Sequence, residues 1–284
     1  MKMALALAVL VGSFGGFEAQ ASNAPIPYQW GVYKPSSLGG DKVIITDWFS
    51  AEGRKRLARS SFNTDFYQLA HAYQPQINPV YATVASAVVI LNGMRLPKHS
   101  IPSLDSAEIK KPKALGGGVL PFPAYTQADF LNEKTDGIKD RKLVLLGNIT
   151  PQNEDNKAAF KPGLGLVELK KMLETVYGAK AAITLADTEV GKGVEAFRAV
   201  VKKTLKDDST FLLANFKGDL LGASTEGTVS PLAAYDEKSD SVLVLDVTGH
   251  KNPWYWVPLK AFYESMHTQY DGIWRGYMVI SDAK

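Results

Sequence analysis

Residues 78–93, NPVYATVASAVVILNG, are the stretch on which the fold turns. Asn78 and Pro79 punctuate a start. From Ala82 the chain then runs through Val84, Ala85, Val88, Val89 and Leu91 in a nearly continuous apolar series. The series is too rich in small residues for an exposed surface, so it predicts a helix buried on every side with Tyr81 at its mouth. A buried helix mouth is a common seat for a nucleophile, because its free N–H groups and its dipole favour a developing anion. The residue at this mouth is Ala82, which carries no chemistry of its own.

Outward from that helix the pattern is helices first and strands later. Residues 42–60 read as a short strand and a helix capped by Ser50, with Glu52 in the first turn. Phe62, Phe66, Leu69, Ala70 and Tyr73 recur at helical spacing. Between Leu96 and Gly118 the prolines at 97, 102 and 112 and the run Gly116-Gly117-Gly118 suggest a long surface excursion. TQADFLNEKTDGI, from Thr126 as cap, reads as one helix, and Leu166, Leu169, Leu173 and Val176 give an amphipathic helix closed by Gly178. A strand (AAITLAD) and a further helix follow. TFLLANFK, SPLAAYDEKSDSVLVLDVTG, YWVPL and GYMVIS are strand-like. Helices preceding a largely antiparallel sheet make the expected class α+β, with a helical half at about 41–205 and a sheet half at about 210–281.

The chain has 284 residues, a net charge of +3 and no cysteine. Lys2, the apolar stretch from Met3 to Phe14 and the pattern Ala19-Gln20-Ala21 read as a secretory signal peptide over residues 1–21. That stretch is too short to span a bilayer. The expected mature domain is therefore 22–284, periplasmic or secreted, opening with an extended Pro- and Gly-rich arm. The mild charge and the lack of a basic cluster argue against nucleic acid. The missing cysteine excludes disulfides, a thiol nucleophile and thiolate metal sites.

Other chemistry is thin. The four histidines, at 71, 99, 250 and 267, are scattered and form no i, i+4 ligand pair, so no metal site is expected. LGGGVL and GKG lack the lysine or the fingerprint of a phosphate loop. Ser86, one turn into the buried helix, can bond back to a carbonyl of the preceding turn, a structural role. Asp246 ends an apolar strand, where an acid needs partners. A functional acid and an acid bonded to turn amides are equally good readings of it.

Four stretches together resemble phytochelatin synthase, the γ-glutamylcysteine dipeptidyl transpeptidase of the papain-like cysteine protease superfamily: DWFSAEGRKRL, YQPQINPVYATVASAVVILNG, SPLAAYDEKSDSVLVLDV and KNPWYWVPLKAFYESMHT. YTQADFLNEKT and RGYMVIS add to the match. In that family the helix motif reads Pro-Ala-Tyr-Cys-Gly, and its cysteine is the nucleophile. Here Pro79-Val80-Tyr81-Ala82-Thr83 stands there, so Ala82 occupies the nucleophile position. The family's basic histidine falls at Thr228. The resemblance implies that Asp246 is the retained orienting aspartate, Gln76 the retained oxyanion glutamine, and Arg275, with Tyr81, part of the substrate pocket.

The family reaction joins a cysteine that attacks glutathione, a histidine that moves its proton and an aspartate that holds the imidazole. Two of the three are absent, and such losses are non-additive. Thr83 points about 100° away from Ala82 on a helix, and His250 would have only water to activate. The expectation is an exported pseudoenzyme of papain-like fold that keeps a pocket for glutathione or a γ-glutamyl peptide. Two alternatives stand: a family transferase or peptidase with another nucleophile, and an interaction protein whose former site has closed. The family's link to cadmium and zinc runs through substrate thiolates, so no cofactor is expected. Oligomeric state, including a homodimer, is left open.

Overall fold

A computed structural model describes residues 33–98, 124–147 and 161–283, with short pieces between 101 and 122. The signal-peptide reading of residues 1–21 and the start of the arm lie outside the described residues. The arm's remainder is a hairpin of β1 (Ser36–Leu38) and β2 (Asp41–Val43), turned by Gly39 and Gly40 at φ +55° and +86°. Such angles suit glycine because it has no Cβ. Then follow β3 (Thr46–Asp47), α1 (Ala51–Arg59), α2 (Thr64–Ala72) and α3 (Ala82–Arg95). Ser50 caps α1 as expected, accepting from the Gly53 N–H at 3.0 Å.

Within the expected surface excursion, β4 (Leu104–Lys110) and β5 (Val119–Phe122) pair antiparallel as a separate two-stranded sheet. The intervening prolines and glycines hid that ladder from a local reading. The single helix expected from Thr126 is two, α4 (Gln127–Phe130) and α5 (Glu133–Asp136), because Asn132 starts a fresh capping box with Thr135. After α6 (Arg141–Leu146) come α7 (Leu166–Thr175), β6 (Ala179–Leu185), α8 (Val190–Thr204), β7 (Thr210–Phe216), β8 (Thr228–Asp236), β9 (Ser241–Val244) and β10 (Tyr255–Pro258). The chain ends through α9 (Leu259–Met266), the pair β11 (Gln269–Tyr270) and β12 (Ile273–Trp274), and β13 (Gly276–Asp282).

The main sheet is antiparallel throughout, in the order β3-β10-β9-β8-β7-β13-β6, which bears out the α+β class. Its outer strands are β3, from before α1, and β6, from between α7 and α8. Alternation along β7 sends Phe211 and Leu213 to one face and Leu212, Ala214 and Phe216 to the other. On the first face they meet α2, α3 and α7, and on the second α8 and α9. The central strand β8 is buried from end to end, as a strand covered on both faces must be.

Helix α3 lies inside the first layer. Thr83 through Arg95 are all buried, and only Ala82 is half-exposed. Its small residues allow this closeness: a Cβ added at Gly93 would lie 3.0 Å from Leu69 Cδ2. Asn92 ties its far end to a neighbouring loop. Its Nδ2 donates to the Tyr125 carbonyl at 2.9 Å, and its Oδ1 accepts from the Tyr125 N–H at 2.8 Å. Asn92→Ala would strand both buried backbone groups. A loss of about 2–5 kcal/mol is expected in urea unfolding, against at most a few tenths for an exposed alanine substitution.

Helix α2 carries a less comfortable group. Asp65, in its first turn, is fully buried, and neither carboxyl oxygen has a hydrogen-bond partner, nor does Gln68 Oε1 one turn on. A helix N-terminus favours an anion by roughly 0.3–1 kcal/mol, far less than burying an unpaired carboxylate costs. Burial wins, and with Asp207 nearby it pushes the Asp65 pKa up to about 9. The folded protein therefore holds this proton through a range in which the unfolded chain, titrating near 4, has released it. Stability from Asp65 is full at acid pH and falls by roughly 1 kcal/mol per pH unit as the pH rises from about 4 towards 9. Asp65→Asn should remove that slope and leave the variant more stable than the parent at pH 8. A urea midpoint as pH-dependent in the variant as in the parent would contradict this.

Candidate functional site

The mouth of α3 is built by the turn before it. Asn78 Oδ1 accepts from the Val80 N–H at 3.0 Å, and the Asn78 carbonyl accepts from the Tyr81 N–H at 3.2 Å. Tyr81 is the cap residue, buried, and offers no side-chain bond to the first-turn amides. One turn in, Ser86 Oγ donates to the Val229 carbonyl at 2.7 Å, reaching across to β8 instead of back along its own helix. That bond sets the mouth of α3 over the start of β8, where Thr228 stands. Thr228 is buried, and its hydroxyl has no partner. Thr83 does not turn towards the mouth. Its hydroxyl donates to the Leu164 carbonyl at 2.7 Å.

Asp246 follows β9 and is fully buried. Its Oδ1 accepts from the Thr248 N–H at 2.9 Å and from the Thr248 hydroxyl, and its Oδ2 accepts from Asn252 Nδ2 at 3.0 Å. Burial pushes its pKa above the ordinary carboxylate range, and the Thr248 and Asn252 donors partly counter that. The turn-amide reading of Asp246 is thus realised in the geometry: its own turn occupies both oxygens. His250, four residues on, is exposed at the rim. His267 faces the Ala186 carbonyl at 2.7 Å instead. Among the described residues no group of three or more histidine, aspartate or glutamate side chains is placed to hold a metal ion.

Gln76 joins this region through its backbone, its N–H donating to the Val247 carbonyl at 2.8 Å. The side chain is buried, and Oε1 has no partner. Arg275 precedes β13, whose Gly276 pairs with Asn215 of β7, while the next β7 residue, Phe216, pairs with Thr228. Arg275 and Thr228 are therefore two strands apart, roughly 10 Å. An added Cβ on Gly227 would lie 3.3 Å from Arg275 Nη2. Arg275 Nη1 donates to Thr268 Oγ1 and to the Gln269 carbonyl, each at 3.1 Å, and the guanidinium lies 5.7 Å from the Tyr270 ring centre. Arg275 is 7% exposed, and no carboxylate forms a salt bridge with it among the described residues. Desolvation lowers its pKa, but a guanidinium stays charged.

The structure thus gathers Ala82, Thr228, Gln76 and Asp246 around the meeting of α3, β8 and the turn after β9, with Arg275 two strands away. A feature the sequence reading missed adjoins them. A cleft of about 560 Å³ is lined by Trp48, Tyr73, Pro75, His250 and Trp254, among others, and shares Gln76 with them. Ala82 does not floor it. The signal for it was the aromatic spacing of Trp48, Phe66, Tyr73 and Trp254, which reads locally as core.

Comparison with known proteins places the chain. The phytochelatin synthase family model matches residues 42–277. Glutathione gamma-glutamylcysteinyltransferase 1 of Arabidopsis thaliana is 24% identical over 240 residues, 83% of this chain and 41% of that protein. Glutathione gamma-glutamylcysteinyltransferase 3 of Lotus japonicus is 37% identical over 93 residues, covering 32% of this chain and 19% of that one. The Schizosaccharomyces pombe enzyme of the same name is 33% identical over 88 residues, covering 30% and 21% respectively. The chain thus spans less than half the length of these relatives. With the family model running from β2 to the start of β13, through the buried helix and the Asp246 turn, this chain belongs to the phytochelatin synthase family.

Proposed function

We propose that this chain is an exported, non-catalytic member of its family that binds glutathione or a related γ-glutamyl peptide. The observation that carries the reading is Arg275, whose guanidinium is buried, feels the charge of Asp219 and forms no salt bridge among the described residues, two strands from a helix mouth that holds Ala82 in place of a nucleophile. An unpaired buried cation is costly. A ligand carboxylate supplies the missing charge through two parallel N–H···O bonds, which is the preferred geometry for arginine. The relatives named glutathione gamma-glutamylcysteinyltransferase support glutathione as the first ligand to try. The sequence of residues 2–21 supports export.

The missing chemistry is consistent with the rest of the site. A general base within reach contributes about 10²–10⁴-fold to proton transfer, and Thr228 is no base at neutral pH. Asp246 is engaged by Thr248 and Asn252, so it has no imidazole to orient. For the family transferase alternative, the hydroxyls near the mouth, on Tyr81 and Thr228, have no hydrogen bond to a basic side chain among the described residues, and a hydroxyl without such a base is a weak nucleophile.

Glutathione titrated into the protein in a calorimeter should give saturable heat with a Kd between about 1 μM and 1 mM. Arg275→Ala should weaken that binding by about tenfold or more, while Arg275→Lys keeps part of it. Absence of heat removes glutathione from the reading, and glycine release from glutathione by the unmodified protein removes the non-catalytic half. Restoring both positions, Ala82→Cys with Thr228→His, should create glycine release that Ala82→Cys alone does not reach. A folded, glutathione-binding double variant without that activity would show that positions 82 and 228 are not the lost pair.

A further inference from the structure

Gln76 carries a cost that its surroundings leave in place. Its side chain is buried, and Oε1 is shut off from solvent with no partner. A buried acceptor left unmade is destabilising, and a free glutamine would relieve it by turning outwards to water. Such a conformation persists only where the structure around it over-determines it.

The groups that hold it lie on either side of it in the chain. Gln127, the first residue of α4, is 2% exposed and commits both ends of its amide to the two neighbours of Gln76. Its Nε2 donates to the Pro75 carbonyl at 2.8 Å, and its Oε1 accepts from the Ile77 N–H at 3.1 Å. The N–H of Gln76 itself donates to the Val247 carbonyl at 2.8 Å. Three consecutive residues thus have a main-chain group fixed from outside, two of them by a single side chain. The segment is also pressed from the turn after β9, where a Cβ added to Gly249 would lie 3.3 Å from Pro75 Cβ.

Pro75 and Ile77 are both exposed, so the clamp buries neither of the residues it bonds. What it keeps inside is the residue between them. The clamp also takes its position from the helix that forms the mouth. Asn92 of α3 holds both backbone groups of Tyr125, and Thr126 caps α4, accepting from the Asp129 N–H at 3.1 Å. Helix α3 therefore fixes the start of α4, and α4 fixes the backbone around Gln76, six residues before Ala82.

We propose that Gln127 is the positioning residue of Gln76: its amide fixes the backbone before and after Gln76 and so keeps that side chain inside the site. Its value to a ligand rests on the glutathione reading. An oxyanion glutamine works by offering Nε2 to a ligand oxygen, and an amide already held in place offers it with less ordering cost. The clamp itself depends on no ligand.

Urea unfolding of the parent, Gln76→Met, Gln127→Met and the double variant tests it. With the clamp intact, Gln76→Met removes the stranded oxygen and should raise the midpoint by about 0.3 M. Gln127→Met should lower the midpoint and free the backbone, so that Gln76 reaches a partner. In that background Gln76→Met should bring no rise, a non-additivity that a plain structural bond would not produce. Gln127→Glu is the conservative check. Protonated at pH 5 in this buried position, it can donate to Pro75 and accept from Ile77, and at pH 8 the ionised form has lost the donor. Gln76→Met should therefore raise the midpoint of Gln127→Glu at pH 5 and not at pH 8. Equal rises in the parent and Gln127→Met backgrounds overturn the proposal, as does no rise in the parent.

Gln127→Met should also weaken glutathione binding by about threefold or more, and Gln127→Glu should retain it at pH 5. If the parent gives no heat with glutathione, the ligand reading alone falls and the midpoints still decide the clamp. If the parent binds and the midpoints are additive, the clamp alone falls.

Discussion

A helix buried on every side must satisfy its polar groups without water, and α3 meets that constraint with four side chains aimed at four different parts of the fold. Thr83 bonds the 164 loop, Ser86 the start of β8, Asn92 the segment at Tyr125, and Arg95 the end of β13 through Asp282 at 3.0 Å. Each bond is worth only about 1 kcal/mol net, but an unmade one costs more, so register errors are penalised at four points along the helix. The apolar residues between them supply most of the driving force. The polar four decide where the helix stops sliding and turning. The mouth at Ala82 has its place over Thr228 because of that lock.

Around the mouth, two charged groups illustrate opposite solutions to burial. Asp246 is surrounded by donors from its own turn, so its charge is satisfied locally and has little left to offer a ligand. Arg275 is held by one hydroxyl and one carbonyl, neither of which neutralises it. The acid is satisfied within its own turn, whereas the guanidinium has only neutral acceptors in direct contact among the described residues. This difference lies in the hydrogen-bond geometry rather than in the residue types.

The turn from Asp246 to Trp254 serves both the family site and the cleft beside it. On one side it seats Gln76 through Val247, and on the other it carries Trp254 back to the sheet edge against Trp48. The Tyr73 hydroxyl on the Asp246 carbonyl couples the two sides, so movement of the turn would alter both. Asp65, on the helix behind, shows the same low-dielectric interior acting on an acid with no donors: it is held protonated instead of being paired.

Much of this was legible in the sequence. The run from Ala82 to Leu91 demanded a buried helix, the Ser50 and Gly178 signals marked helix ends, and the late alternating segments demanded a sheet, because periodicity and capping are local properties. The resemblance pointed to positions 76, 82, 228, 246 and 275 as site positions, which motif order alone can suggest. Tertiary structure alone decided the rest. It brought β3, from before α1, and β6, from between α7 and α8, to the two edges of the sheet, split the 126–138 segment at Asn132, and paired β4 with β5 across a gap holding Pro112 and three glycines. It also determined that Asp246 is bonded by donors of its own turn while Arg275 bonds only neutral acceptors among the described residues, and that Trp48 and Trp254, 206 positions apart, pack ring to ring. Contacts of that kind depend on which strands become neighbours, and strand order is set by the packing of the whole core rather than by any window of sequence.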